Sequence, residues 1–79
     1  MSNRLIRRAA NSVTMNISEG ARREGRDRKH LWRVAAGSAA EVRTALRNGI
    51  AWGDLVAARL EQTLELLDRV IAMLWKMTH

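Results

Sequence analysis

The chain contains no proline, and glycine interrupts it only five times in 79 residues. Proline is the residue that stops a helix outright, and glycine is the next strongest breaker. Gly20 and Gly25 bracket one break, Gly49 and Gly53 bracket a second, and Gly37 stands alone between them. That punctuation leaves three helix-length segments. An all-β fold would need many turns and aromatic strands, and the chain has no Phe and no Tyr. The expected fold class is all-α, a single antiparallel helical bundle over 1–79 with three helices.

Periodicity places the helices. The first is expected over about 2–19, with Ser2 as N-cap and Leu5, Ala9, Val13 and Ile17 on one face. Gly20 follows as a residue able to take positive φ, and 20–26 reads as a loop. The second is expected over about 27–48, from Asp27 as N-cap to Gly49 as terminator. Its apolar face is Leu31, Val34, Ala35, Ser38, Val42, Ala45 and Leu46. Gly37 in its interior costs about 0.5–1 kcal/mol relative to alanine, so close approach of another helix is the expected reason for it. The third is expected over about 54–78, with Asp54 as N-cap and a stripe of Leu55, Val56, Leu60, Leu64, Leu67, Ile71 and Leu74.

The end of the third segment is too apolar for one core. Leu66, Met73, Trp75 and Met77 form a second apolar set with no place inside a three-helix unit. Exposed apolar surface of this kind marks an interface, so a homo-oligomer is expected, with these four residues at the subunit contact.

Charge is the second constraint. The net charge is +6, and all of the excess lies before residue 34. There Arg4, Arg7, Arg8, Arg22, Arg23, Arg26, Arg28, Lys29 and Arg33 face only Glu19, Glu24 and Asp27. A concentrated positive field suits a polyanion, and arginine forks match phosphate in bidentate fashion. These nine residues are the candidate nucleic-acid contacts. Base reading has little support near them, because Trp32 is the only neighbouring aromatic and reads better as a core or interface residue. A helix-turn-helix is disfavoured, since about seven residues separate the first two helices.

Catalytic chemistry has no visible basis. Cysteine is absent, which removes disulfides, thiolate metal sites and Cys nucleophiles. His30 reads as a solvated side chain and His79 as a disordered terminal one. Glu61 and Glu65 share a helix face but have no histidine beside them, and no phosphate-loop, dinucleotide or hydrolase motif occurs. No catalytic residue, metal site or cofactor is expected. Asn16 and Ser12 lie along an apolar stripe, and Glu41 lies beside another, where Arg7 or Arg8 could pair with it. Asn16, Glu19, Gly20, Gly37 and Glu41 are therefore assigned structural roles. No apolar run approaches a membrane span and no apolar leader segment is visible, so no membrane partner and a cytoplasmic location are expected.

Taken as a string, the sequence carries Leu5-Ile6-Arg7-Arg8-Ala9-Ala10, then Asn16-Ile17-Ser18-Glu19-Gly20, then Leu31-Trp32-Arg33-Val34-Ala35-Ala36-Gly37-Ser38, then Glu41 and Thr44. In order and spacing this resembles, from Leu5 to about Met77, the four-helix-bundle proteins encoded in intervening sequences of 23S ribosomal RNA genes. Thr14 stands where that family often has proline, Trp32 replaces a leucine-like position, and the chain lacks the helix that usually precedes the first motif. The resemblance implies a bundle completed by oligomerisation, with a homopentamer as one form. A more distant similarity is to the accessory protein of diversity-generating retroelements, which implies a reverse transcriptase and nucleic acid as partners. The expected function is non-enzymatic binding of nucleic acid, RNA favoured, through backbone phosphates. The alternative is a scaffold or accessory subunit for a protein partner.

Overall fold

A computed structural model describes residues 3–79, and it consists of three helices: α1 (Asn3–Ala21), α2 (Gly25–Ala51) and α3 (Ala57–Thr78). The expected Ser2 cap lies outside the described residues. Among the described residues no strand is present, and no helix is long and apolar enough to cross a membrane.

The helix ends differ from the sequence expectation, each for a local reason. Gly20 does not take positive φ; it is helical and buried inside α1. The left-handed residue of that turn is Gly25, at φ 58°, so α2 starts two residues before Asp27. Glu24 occupies the N-cap position without a capping hydrogen bond, and Asp27 sits in the first turn, where its charge still opposes the positive helix end. At the other end α2 runs through Gly49 to Ala51, because the residue that turns the chain is Gly53, at φ 81°. The Gly53 N–H donates to Ile50 O at 3.1 Å and the Asp54 N–H to Gly49 O at 2.8 Å. This pair of bonds is a Schellman motif, which satisfies the last carbonyls of the helix. The three extra residues it spans push the start of α3 from Asp54 to Ala57, with Val56 as N-cap.

Helix α2 is the centre of the molecule. Ser12 meets Ser38 and Gly20 meets Trp32, so α1 runs antiparallel to α2. Arg43 meets Asp68 at 2.8 Å and Arg33 reaches Thr78, so α3 is antiparallel to α2 as well. Among the described residues, α1 and α3 make no Cα approach within 8 Å. The Cα extents are 42 × 23 × 14 Å, so the three helices form an open layer rather than a closed triangular bundle.

The buried apolar residues are Ala9, Ala35, Ala39, Val42, Ala45 and Leu74. Four of these are alanine, which lets helix backbones approach closely but buries little area. The stripes foreseen for α1 and α2 are only partly enclosed: Leu5 and Val34 remain exposed. The seam between α1 and α2 also carries a polar cluster. Asn16 Nδ2 donates to Ser12 O at 2.7 Å and to Ser12 Oγ at 3.0 Å, and Ser38 Oγ donates to Ser12 Oγ at 2.9 Å. Its partners are mutually satisfied, which suits a role in fixing register.

Candidate nucleic-acid interface

The nine basic residues foreseen as phosphate contacts divide into two groups. Arg28 and Arg33 are committed to the fold. Arg28 Nε donates to Gly20 O and its Nη2 to Ala21 O, both at 3.1 Å, while its guanidinium lies 5.3 Å from the centre of the Trp32 ring. Arg33 Nη2 donates to Thr78 O at 2.8 Å. The first turns of α2 therefore supply cations to the carbonyl ends of both neighbouring helices, where the helix dipole is negative and orphan acceptors gather. Both guanidiniums are thus engaged as helix caps, because antiparallel packing brings the C-termini of α1 and α3 to the start of α2.

The other seven are exposed. Arg23 is held by Glu19, with Nε at 3.2 Å and Nη2 at 3.0 Å from one carboxylate oxygen, and Arg22 lies 3.9 Å from the other oxygen. Arg4, Arg7, Arg8, Arg26 and Lys29 have no ion pair or hydrogen bond from their side chains among the described residues. They form two basic ends. Arg22, Arg23, Arg26 and Lys29 surround the α1–α2 turn, and Arg4, Arg7 and Arg8 occupy the first two turns of α1. The second placement is electrostatically awkward, since the N-terminal end of a helix favours anions and α1 has no acidic residue in its first turn. An external anion would relieve it.

Some structural assignments stand and others change. Trp32 is part-buried, its Nε1–H donating to Ile17 O at 3.2 Å, so it belongs to the α1–α2 seam. Gly20 owes its identity to that ring: a Cβ there would lie 2.5 Å from Trp32 Nε1. Gly37 is exposed, and nothing lies within 4 Å of where its Cβ would be, so no helix of this chain approaches it. Glu41 is exposed and makes no pair with Arg7 or Arg8; Arg8 and Glu41 instead stand on opposite walls of an open α1–α2 groove whose floor includes Ala9, Ser12 and Ser38. The His79 ring stacks on Trp75, with ring centroids 3.4 Å apart.

On α3, Leu66, Met73 and Met77 are 61%, 58% and 51% exposed. With the part-buried Val70 they recur every three or four residues along one flank. Trp75 is two residues from Met73, about 200° around the helix, and so lies on the other flank. Sequence reasoning overlooked Trp52 and took Asp54 only for the N-cap of α3. Trp52 is exposed beside the Schellman turn, and Asp54, released from capping α3, has no side-chain partner among the described residues. Gly53, read as the true helix terminator, was the signal that could have exposed them. Among the described residues no group of three His, Asp or Glu side chains is placed to hold a metal.

Residues 3–76 match the family model described as 23S rRNA-intervening sequence protein. The chain belongs to that family. No curated protein and no solved structure matches it. The matched span includes the exposed Arg4, Arg7, Arg8, Arg22, Arg23, Arg26 and Lys29 and, on α3, Leu66, Val70 and Met73. The family description names no chemical activity, so function must be argued from these surfaces.

Proposed function

We propose that this protein is a non-enzymatic, self-associating helical module that binds nucleic acid, RNA in preference, through backbone phosphates. The observation that carries the reading is the set of exposed, unpartnered cations Arg4, Arg7, Arg8, Arg26 and Lys29, joined by the lightly held Arg22 and Arg23. None of the first five is paired with a carboxylate among the described residues. Surface pairs such as Arg23–Glu19 contribute little, so a phosphate can displace the carboxylate at small cost.

Self-association is supported by area. The chain exposes 5952 Å², whereas a compact monomer of this mass exposes roughly 4,800 Å². The excess of roughly 1,100 Å² exceeds the ~800 Å² that one partner contributes to a standard interface. Leu66, Met73 and Met77, on one flank of α3, are the residues proposed to fill it, with Trp75 a separate apolar surface on the other flank. Assembly would complete a bundle around the open layer and repeat the basic ends on each copy, which raises avidity without new contacts.

Filter binding to a structured RNA across a salt series tests the reading. Several phosphate contacts predict an affinity that falls by orders of magnitude between about 50 and 200 mM salt. Arg22, Arg23 and Arg26 changed together to Glu should abolish most of that binding; unchanged affinity would remove the α1–α2 turn from the site. The alternative, an accessory subunit for a protein partner, is favoured by the open α1–α2 groove of about 370 Å³. It gains if the assembled protein shows no salt-dependent affinity for RNA.

A further inference from the structure

Of the three tryptophans, Trp32 is packed into the α1–α2 seam and Trp75 is stacked on His79. Trp52 alone has no hydrogen bond, ring stack or cation–π contact from its side chain among the described residues, and it is 69% exposed. It borders a cavity of about 400 Å³ at the end of the layer, lined also by Asn3, Ile6, Leu46, Asp54 and Leu55. The cavity has apolar walls of Ile6, Leu46 and Leu55, one free carboxylate and one amide. Arg4 follows Asn3 directly, and Arg7 lies one helical turn beyond it.

We infer that this cavity is a nucleobase site. It rests on the nucleic-acid reading above and adds a base contact to what is otherwise backbone binding. The indole supplies a stacking face, and base–aromatic stacking is sequence-tolerant and energetically substantial. The apolar walls take the rest of the ring. Asp54 is acceptor-only when ionised and has two oxygens, so it selects a base edge that presents two adjacent N–H donors. Guanine does so through N1–H and its 2-amino group; adenine offers one amino group beside an acceptor. Asn3 can donate or accept toward a carbonyl or ring nitrogen. Arg4 and Arg7 then meet the attached phosphates at the N-terminal end of α1, where an anion is favoured. The charges suit a nucleotide: a carboxylate and an indole line the cavity, and two cations lie on the same helix turns as its α1 residues.

The test compares three single-stranded hexamers of abasic ribose phosphates carrying guanine, adenine or no base at the third position. Affinity is read by anisotropy at low salt. The guanine strand is expected to bind about tenfold tighter than the abasic one, through stacking on the indole. Trp52→Ala should bring the guanine strand to the abasic level while leaving the abasic strand unchanged. Trp52→Phe should keep most of the difference, and Asp54→Asn should erase the preference for guanine over adenine. The inference is overturned if Trp52→Ala leaves the guanine–abasic difference intact, or weakens both strands equally. It is also overturned if that variant shifts the sedimentation coefficient, which would make Trp52 a subunit contact. If no strand binds at all, the backbone reading fails on its own. The base site is then decided by free guanosine monophosphate: quenching present in the wild type and lost in Trp52→Phe supports it, and no quenching ends it.

Discussion

Gly20 and Gly37 are both helical, yet replacing them should have opposite signs. Alanine gains up to about 1 kcal/mol over glycine in a helix interior. At Gly37 nothing opposes that gain, since nothing lies within 4 Å of the new methyl, and Gly37→Ala should raise the urea midpoint. At Gly20 the methyl meets a packed indole at 2.5 Å. Overpacking of this kind costs about 1–3 kcal/mol, more than the propensity gain, so Gly20→Ala should lower the midpoint and shift Trp32 fluorescence. The arginines separate in the same manner. Arg33→Met removes a charged hydrogen bond to Thr78 O, so thermal unfolding should show a loss of about 1 kcal/mol, with the salt slope of RNA binding unchanged. Arg26→Met should leave stability alone and reduce that slope by about one. A slope change from Arg33→Met would return it to the phosphate-binding group.

At the scale of elements, three helices were legible because the glycine breaks and the apolar period agree. The ends were not, because two glycines compete at each break and only backbone geometry decides which one turns the chain. Gly25 and Gly53 carry the positive φ, while Gly20 and Gly49 sit inside helices against Trp32 and Leu55. The candidate site was legible as a charge excess but not as a division of labour. Nothing in the local sequence of Arg28 or Arg33 reveals that two helix C-termini converge on them; that follows only from antiparallel packing. The outer α3 flank is a testable element. Changing Leu66, Met73 and Met77 together to Gln should leave helicity by circular dichroism intact while reducing the sedimenting mass. An unaltered mass would transfer the proposed subunit contact elsewhere, with Trp75 and the α1–α2 groove the remaining apolar surfaces.

At the scale of the whole molecule, openness ties the proposals together. A radius of gyration of 13.3 Å exceeds the roughly 12 Å of a compact chain of this length. Two helix seams built largely on alanine bury too little surface for robust stability in isolation, since domains this small are already marginal. Unfolding is therefore expected to depend on protein concentration, with the thermal midpoint rising as concentration is raised. A midpoint constant across a hundredfold concentration range would instead describe a self-sufficient monomer.

Because α1 and α3 each approach α2 and not one another among the described residues, each outer helix forms its own two-helix unit with the shared one between them. The partnership is not mutual: either outer helix can loosen without disturbing the other, but losing the first turns of α2 releases both at once, since Arg28 and Arg33 hold their far ends there. Exchange of a single outer helix between neighbouring copies is thus open to this chain in a way that a closed bundle forbids, and the hinge for it would be the short turn at Arg22–Glu24 or the longer one after Ala51.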